Sequence, residues 1–423
     1  MSSALKTDRY ELTMLDAAIQ AGVGSKPVVF EVFSRNLPAG RRFGVFAGTG
    51  RLIPEIQKFK FEKPELDFLE KQKIVSPQTL AWLANFTFKG EITGFSEGET
   101  YFGNSPVLTI SGTFAECVVL ETLVLSVLNY DSAVASAAAR MRIAARDRKL
   151  VEMGSRRANE DAAVAAARAS FIAGFDATSN LLAQKRYQIP SVGTSGHAFT
   201  LLFESEAQAF SAQHEAMGDE TTFLLDTFDV EKAVATAVET TGGKLGNVRI
   251  DSGDLSESAH RVRNQLDSLG ATHTQITVTN DLDEDAIAGL SAAPVDGFGV
   301  GTSLVTGSGH PTASFVYKLV SKFENGEWLD VSKKSRGKQN FPGRKYAYRI
   351  IENGLAQRDE LSTSEIEQSN ARPLQIDYFG SGSNWKPDLE SARKRFESSL
   401  QELPAVAKRL SDGEPALEVS FTS

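Results

Sequence analysis

The sequence predicts an α/β protein with a largely parallel sheet and two domains. The chain has 423 residues, and at roughly 100–200 residues per domain this length corresponds to about two or three domains. Its composition, 41% hydrophobic and 23% charged, supplies enough apolar material for a packed core. Beyond residue 150, short apolar strands, polar turns and helices alternate. This alternation is the pattern of a parallel α/β layer or barrel.

The N-terminal part of the chain lacks that alternation. Apolar residues at three- and four-residue spacing predict an amphipathic helix over 7–22, opened by the cap-like pair Thr7-Asp8. A run rich in Val and Phe predicts a strand over 27–33, and short apolar runs between Gly and Ser predict a small antiparallel sheet over 90–113. An Ala-rich apolar stretch over 116–148 then predicts a long helix.

The pattern of the central part of the chain predicts a series of parallel strands, each followed at its carboxyl end by a polar turn that we call its tip. The strand-and-turn units are 150–155, 189–194, 248–252, 274–279 and 297–301. Ligands bind at the carboxyl ends of parallel strands, so these tips are the candidate site. A basic, Gly-rich loop over 331–344 and an amphipathic helix over 387–403 follow.

Charge and cysteine content exclude several classes of protein. The chain has 45 Lys and Arg against 54 Asp and Glu, a net charge of −9. This acidic balance disfavours nucleic-acid binding, because binding would need a basic surface to neutralise the phosphates. The start of the chain does not resemble a secretory signal, and the apolar stretch 115–130 contains Glu116 and Glu121, so we expect no membrane span. The single cysteine, Cys117, fits a reducing compartment. We expect a cytoplasmic protein.

Two tips carry groups suited to anions or to proton and phosphoryl transfer. Gly154-Ser155-Arg156-Arg157 places two guanidinium groups beside a turn, which suits a phosphate or carboxylate but also an ordinary solvated helix start. Gly193-Thr194-Ser195-Gly196-His197 places an imidazole just after a predicted strand. His197 is thus either a nucleophile or proton carrier or a histidine in a capped turn.

Two further tips suit ribose and phosphate. Arg249-Ile250-Asp251-Ser252-Gly253-Asp254 combines a cation with carboxylates that could bind ribose hydroxyls or a Mg²⁺ shell, although Asp254 also suits a helix cap. Gly299-Val300-Gly301-Thr302 would let backbone N–H groups approach a phosphate. Neither a Rossmann fingerprint at the first βαβ unit nor a Walker A motif is present in the sequence.

Taken in order, these strings resemble those of the nicotinate phosphoribosyltransferases, over about residues 7–350. The matching strings are Thr7-Asp8-Arg9-Tyr10, GSRR at 154–157, GFDATSN at 174–180, GTSGH at 193–197, IDSGDL at 250–255, FGVGT at 298–302 and PGRKYAYR at 342–349. Each string is short, but seven in the same order are specific.

The resemblance implies a fold and an activity. The fold is an irregular, TIM-like α/β barrel over 114–340, packed on an α+β sandwich domain formed by 1–113 together with 341–423. The activity is transfer of phosphoribosyl from 5-phosphoribosyl 1-diphosphate to nicotinate, coupled to ATP hydrolysis through a phosphohistidine and requiring Mg²⁺. The products are nicotinate mononucleotide and diphosphate, in NAD salvage. The resemblance also implies a homodimer with shared active sites.

The same resemblance assigns roles to individual residues. His197 corresponds to the histidine that ATP phosphorylates, with Thr194 and Ser195 beside it in the substrate pocket. Arg156 and Arg249 correspond to residues lining the nicotinate and phosphoribosyl pocket. Nicotinate is an anion, so Arg249 is the first candidate for its carboxylate.

The remaining assignments concern the ring, the ribose and the phosphates. Tyr10 corresponds to an aromatic residue that reaches the pyridine ring from the neighbouring subunit, and Asp251 to a group holding ribose hydroxyls or the metal shell. Met153 stands where relatives that use nicotinamide have a stacking aromatic residue. The 5′-phosphate loop corresponds to Gly299, Gly301 and Thr302, and the loop that closes over diphosphate to Lys333, Lys338 and Arg344.

Other functions remain open at the level of the sequence. A related enzyme acting on nicotinamide or quinolinate is the nearest alternative. A non-catalytic phosphate-binding barrel would have little reason to keep His197, Arg249 and both glycines of the phosphate loop together. A barrel aldolase would need a Schiff-base lysine at a strand end, and none of the tips provides one.

Overall fold

The computed structural model describes residues 3–332, 341–380 and 382–422. The chain forms two compact units, one of Met1–Ser136 with His310–Ser423 and the other of Ala137–Gly309. Both chain ends contribute to the first unit. The two units divide at 136/137 and 309/310, whereas the sequence analysis places the domain boundaries at 113/114 and 340/341. The strand at Phe315–Glu324 pairs with the strand at Pro27–Ser34 and lies in the first unit.

Strands and helices alternate along the second unit, Ala137–Gly309. The strands are β1 (Pro27–Ser34), β2 (Gly44–Val45), β3 (Glu91–Phe95), β4 (Thr100–Tyr101), β5 (Leu108–Thr113), β6 (Lys149–Glu152), β7 (Ala177–Thr178), β8 (Thr222–Leu224), β9 (Asn247–Ile250), β10 (Gln275–Val278), β11 (Gly297–Val300), β12 (Phe315–Glu324), β13 (Glu327–Asp330), β14 (Tyr346–Glu352), β15 (Leu355–Ser362), β16 (Ala371–Pro373), β17 (Gln375–Phe379) and β18 (Glu418–Thr422). The helices are α1 (Arg9–Gln20), α2 (Thr49–Lys58), α3 (Lys63–Lys71), α4 (Pro77–Ala84), α5 (Phe114–Val118), α6 (Glu121–Ala145), α7 (Glu160–Ile172), α8 (Leu181–Tyr187), α9 (His197–Thr200), α10 (Glu206–Met217), α11 (Val230–Thr240), α12 (Leu255–Ser268), α13 (Glu284–Gly289), α14 (Thr302–Val305) and α15 (Leu389–Glu402), with 3₁₀ turns at Leu290–Ala292 and Ala405–Lys408.

The first unit is organised around an antiparallel sheet in the order β13-β12-β1-β5-β3-β17. Every residue of β1 after Pro27 is buried, which explains why its sequence is a nearly continuous apolar run instead of an alternating one. Its one charged residue, Glu31, pairs with the buried Lys345 at 2.7 Å. A second sheet, in the order β16-β14-β15-β18, comes entirely from the C-terminal part of the chain.

A buried ion cluster joins the two chain ends within the first unit. The Arg349 guanidinium of β14 is fully buried and donates from Nε and Nη2 to the Asp359 carboxylate at 2.8 and 2.9 Å. Its Nη1 donates to Glu99 Oε1 at 2.8 Å. Bidentate charge-assisted hydrogen bonds of this kind fix geometry as well as charge. Lys345 and Arg349, two cations of the PGRKYAYR string, therefore hold the fold together.

The second unit contains a parallel sheet in the order β7-β6-β11-β10-β9-β8. Its strands are short and separated by helices, as the alternation predicts. One predicted strand is wrong: residues 189–194 form only an isolated bridge, Thr178↔Ser191, and β7 occupies the edge instead. The strand β8, which precedes Asp226, is absent from the sequence prediction because it has only three residues.

The predicted long helix is two helices in the structure, α5 and α6. Among the described helices, α6 is long and apolar enough to cross a membrane by length and composition, but 61% of its most apolar window is buried within the protein. The core helix of a soluble protein meets the same criteria.

Candidate active site

The register of the parallel sheet brings the predicted tips to one edge. Ile250 lies beside Val278, and Val300 lies beside Glu152. Since all these strands run in the same direction, the residues that follow them lie at the same edge of the sheet. The candidate site is therefore assembled from the ends of β6, β8, β9, β10 and β11.

Arg249 is the cation at the centre of this edge. Its Nη1 donates to Thr194 Oγ1 at 2.6 Å, and its Nη2 lies 3.6 Å from Asp251 Oδ2. The Nε atom is buried and has no hydrogen-bond partner within the described part of the chain. Asp251 also accepts a hydrogen bond from Thr279 Oγ1. The guanidinium is thus held on two sides and keeps unused donor capacity for an anion.

His197 lies at the start of α9 and faces a carboxylate that the sequence analysis missed. Its Nε2 is 3.3 Å from Asp226 Oδ1, and the Asp226 side chain is only 4% exposed while that of His197 is 42% exposed. Asp226 Oδ2 accepts from Ser252 Oγ at 2.5 Å and from the Asp251 backbone N–H at 3.2 Å. The only sequence signal for Asp226 is its position two residues after the short apolar run of β8.

The glycine-rich segment at the end of β11 requires glycine for a steric reason at one position. A Cβ on Gly299 would lie 2.6 Å from both Met153 Sδ and Thr279 Cγ2. Gly301 has more room, since the nearest atom to its Cβ position is Met153 O at 3.5 Å. Thr302 begins α14 and is exposed. Met153 therefore packs against Gly299, at the position where relatives that use nicotinamide are expected to have an aromatic ring.

Glu152, another residue that the sequence analysis did not select, forms hydrogen bonds that stabilise the turn carrying Arg156. Glu152 is fully buried, and its two carboxylate oxygens accept from the Gly154 N–H and the Thr178 hydroxyl. Burial raises the pKa of the Glu152 carboxyl, against the opposing effect of these two hydrogen bonds. Arg156 itself is exposed.

The remaining sequence-predicted residues lie elsewhere or are not described. Ser195 follows Thr194 in the loop before α9. Tyr10 lies on α1 of the first unit, 46% exposed, and burial together with a hydrogen bond to Glu121 raises the pKa of its phenol. Arg344 also belongs to the first unit, with its guanidinium 5.8 Å from the centre of the Tyr346 ring. Lys333 and Lys338 lie outside the described residues.

The residues of this site do not form a complete metal centre by themselves. Within residues 3–332, 341–380 and 382–422, no three His, Cys, Asp or Glu side chains are grouped so that they could hold a metal ion. Mg²⁺ commonly takes only one or two protein carboxylates and completes its shell with water and substrate phosphates. The partly exposed Asp251 carboxylate is compatible with that kind of coordination.

Two family models match the chain. The N-terminal domain of nicotinate phosphoribosyltransferases matches residues 5–129, and the nicotinate phosphoribosyltransferase family model matches residues 148–345. A nicotinate phosphoribosyltransferase of Mycobacterium tuberculosis is 48% identical over 98% of this chain and 94% of its own length. One of Bacillus subtilis is 36% identical over 83% of this chain and 74% of its own length.

Solved structures agree in fold. The human nicotinic acid phosphoribosyltransferase superposes with a TM-score of 0.83 at 24% identity, covering 98% of this chain and 97% of that one. A nicotinate-nucleotide pyrophosphorylase from Pyrococcus furiosus gives a TM-score of 0.78 at 24% identity, covering 95% and 96%. Together with the ordered motifs and the grouping of their residues at one sheet edge, these similarities show that the chain belongs to the nicotinate phosphoribosyltransferase family.

Proposed function

We propose that this chain transfers the phosphoribosyl group of 5-phosphoribosyl 1-diphosphate to the ring nitrogen of nicotinate, giving nicotinate mononucleotide and diphosphate. The observation that carries the proposal is the grouping of Arg249, Asp251, His197 and Asp226 at the carboxyl edge of one parallel sheet, in a chain of this family. The reaction would serve NAD salvage, in the cytoplasm.

Arg249 suits the nicotinate carboxylate. Its side chain is 14% exposed and is oriented by Thr194 and Asp251, and its Nε has no hydrogen-bond partner among the residues that the structure describes. A carboxylate arriving at this group replaces lost hydration with a charge-assisted hydrogen bond. Nicotinamide carries no such charge, so the same site would discriminate against it. Arg156 is the second candidate for this role.

Asp251 suits the ribose side of the reaction. Positive charge develops on the ribose ring as diphosphate departs, and a carboxylate placed nearby stabilises that charge. Asp251 would also contribute to the Mg²⁺ shell, and Mg²⁺, when bound, neutralises charge on the departing diphosphate. We assign Gly299, Gly301 and Thr302 to the 5′-phosphate, and Lys333, Lys338 and Arg344 to the diphosphate.

His197 is proposed as the residue that ATP phosphorylates. Asp226 Oδ1 lies 3.3 Å from Nε2 of the ring, and a carboxylate oxygen at that nitrogen would favour the tautomer with the proton on Nε2 and the lone pair on Nδ1. Nδ1 would attack the γ-phosphorus of ATP, forming an N–P bond as the bond to the ADP oxygen breaks. The phosphorylated ring carries roughly two negative charges by analogy with other phosphoryl groups, which would reorganise the diphosphate site.

Two finer features of the family are also proposed for this chain. The parallel sheet of the second unit would be part of an irregular, TIM-like barrel, and the first unit a sandwich-like α+β domain. The chain would act as a homodimer with shared sites, in which Tyr10 reaches the pyridine ring bound by the partner subunit. The exposed Tyr10 ring, with its hydroxyl engaged by Glu121, supports contact through the ring face.

A product assay tests the proposal. Purified protein is incubated with labelled nicotinate, 5-phosphoribosyl 1-diphosphate and Mg²⁺, with and without ATP, beside parallel reactions with nicotinamide and quinolinate. We expect nicotinate mononucleotide and a higher yield with ATP. Product from nicotinamide or quinolinate alone would establish the related activity instead, and no product from any of the three would favour a non-catalytic protein.

A further inference from the structure

We propose that Glu152 is a positioning residue for this reaction, whose buried carboxylate fixes the turn from which Arg156 reaches the substrate. The inference deepens the proposed function and rests on it, because Arg156 has a role only if the strand-end edge binds substrate. Glu152 belongs to no candidate set drawn from the sequence.

The carboxylate of Glu152 connects two neighbouring strand ends. Glu152 is the last residue of β6 and pairs with Thr178, the last residue of β7. One of its oxygens accepts from the Gly154 N–H, two residues further along its own turn, and the other accepts from the Thr178 hydroxyl. The side chain therefore bridges the Gly154 turn to the adjacent strand.

A second set of hydrogen bonds closes this bridge into a ring. The Thr178 hydroxyl oxygen also accepts from the Asn180 N–H at 3.0 Å, and Asn180 Nδ2 donates to Ser155 Oγ at 3.0 Å. Ser155 directly follows Gly154, so the connection runs from the turn to β7 and back. Arg156 is the next residue of the turn, so the ring fixes the chain immediately before it, and its side chain is exposed.

The turn has little freedom to adopt another shape. A Cβ on Gly154 would overlap the Val305 side chain and lie 3.1 Å from Gly301 O. The Met153 N–H donates to Val300 O at 2.8 Å, which ties the start of the turn to β11. The Arg157 N–H also donates to Gly154 O at 2.8 Å, and the Glu152 side chain adds the hydrogen bond that joins Gly154 to the adjacent strand.

Register places Glu152 on the opposite face of the sheet from the reacting groups. Across the parallel ladder, Arg249 is level with Thr277 and Gly297, and Val151 is level with Gly299. Side chains alternate along a strand, so Glu152 lies on the face opposite to that of Val151. Glu152 therefore acts through the turn and does not contact substrate.

The hydrogen bonds of Glu152, and not its charge, carry this role. Within the described residues, burial and the hydrogen bonds to Thr178 and Gly154 are the influences on its carboxyl, and no cation is among them. Its pKa is raised by burial, which disfavours the ionised form. A neutral glutamine could accept from the Gly154 N–H through its oxygen and donate to Thr178 Oγ1 through its amide nitrogen.

The test compares Glu152→Gln with Glu152→Ala in the full-length enzyme, with Arg156→Ala as the reference. We expect Glu152→Gln to keep kcat/KM for nicotinate within about threefold of the unaltered chain. We expect Glu152→Ala to lower it by roughly 10–100-fold, since a misplacement of about 1 Å in a positioning element has effects of that order. The double variant Glu152→Ala/Arg156→Ala should be no worse than Arg156→Ala alone, within about twofold.

Several outcomes would overturn the inference. A folded Glu152→Gln variant with kcat/KM as low as that of Glu152→Ala would show that the charge of Glu152 matters. If the fold-losses in kcat/KM of the two single variants multiply in the double variant, Glu152 does not act through Arg156. Wild-type kinetics in folded Glu152→Ala, or in Arg156→Ala, would refute it as well. If Glu152→Ala does not fold, Thr178→Val and its control Thr178→Ser replace it, because valine removes one partner of the bridge. Absence of product from the unaltered chain would overturn the proposed function first.

Discussion

The Asp226–His197 pair leads to a prediction about the Asp226→Asn variant. In the structure, Asp226 Oδ2 accepts from Ser252 and from the Asp251 N–H, while Oδ1 faces His197 Nε2. An asparagine that keeps the first two hydrogen bonds through its oxygen must turn its NH₂ group toward Nε2. The ring then accepts at Nε2 and carries its proton on Nδ1, which is the wrong tautomer for attack on ATP.

The expected size of the effect follows from the geometry of the pair. A hydrogen bond to a charged group contributes about 1.5–3 kcal/mol. The contact between His197 Nε2 and Asp226 Oδ1, at 3.3 Å and with the His197 side chain 42% exposed, is weaker than a well-formed bond of this kind, so we assign it no more than about 1.5 kcal/mol. Since about 1.4 kcal/mol corresponds to a factor of ten, we expect Asp226→Asn to slow phosphorylation by roughly tenfold.

The assay is incorporation of the γ-phosphate of labelled ATP into the protein, followed over time in acid-labile form. His197→Ala is the control for complete loss, and thermal unfolding establishes that Asp226→Asn is folded. Phosphorylation of Asp226→Asn at the rate of the unaltered chain would refute the proposed role of Asp226. Label retained by His197→Ala would place the phosphoryl carrier elsewhere.

The remaining predictions concern turnover, specificity, stability and pH. His197→Ala should abolish stimulation by ATP and leave slow ATP-independent product formation, measured by nicotinate mononucleotide yield; unchanged ATP coupling would contradict it. Arg249→Lys should lower kcat/KM for nicotinate at least tenfold with little change in Tm, because an ammonium group cannot reproduce the forked contacts; normal kinetics would remove Arg249 from the pocket. Arg349→Met should lower the free energy of unfolding by about 3–5 kcal/mol, since it leaves Asp359 buried without its cation and removes one of the three cations that pair with Glu99; an unchanged denaturant midpoint would argue against this. Burial and the nearby Asp229 raise the pKa of Glu206 to about 7. Ionised Glu206 therefore lowers the free energy of unfolding above about pH 7, whereas below about pH 4.5 the carboxyl is protonated in both states and has no such effect. Glu206→Gln should raise Tm at pH 8 and not at pH 4, and an equal change at both pH values would contradict the raised pKa.

The strand-end residues could be predicted from the sequence because local pattern and function coincide there. Arg249 lies in the apolar run of β9, just before the turn Asp251-Ser252-Gly253, and His197 follows the turn Gly193-Thr194-Ser195-Gly196. The fold brings the two side chains to one edge of the parallel sheet. Asp226 and Glu152 could not be found in this way. Asp226 follows a strand of only three residues, and the role of Glu152 depends on a hydrogen bond to Thr178, a residue of another strand.

The roles of the cations in the PGRKYAYR string at 342–349 could not be predicted from the sequence. Its cations look alike in the sequence, but Lys345 and Arg349 are buried against Glu31, Glu99 and Asp359. Glu99 and Glu31 lie 250 and 314 positions from the cations they meet, and Asp359 lies ten positions from Arg349 on the neighbouring strand. The order of residues within the string does not indicate which of its cations has a carboxylate partner in the fold.

The arrangement of the antiparallel sheet has a consequence for synthesis. Strand β1 pairs with β5 on one side and with β12 on the other. The ribosome makes β5 before residues 137–309 and β12 after them, so the second unit can fold while one side of β1 still lacks its partner. During that interval the nascent chain exposes the unpaired side of an apolar strand, which β12 covers once it has been translated.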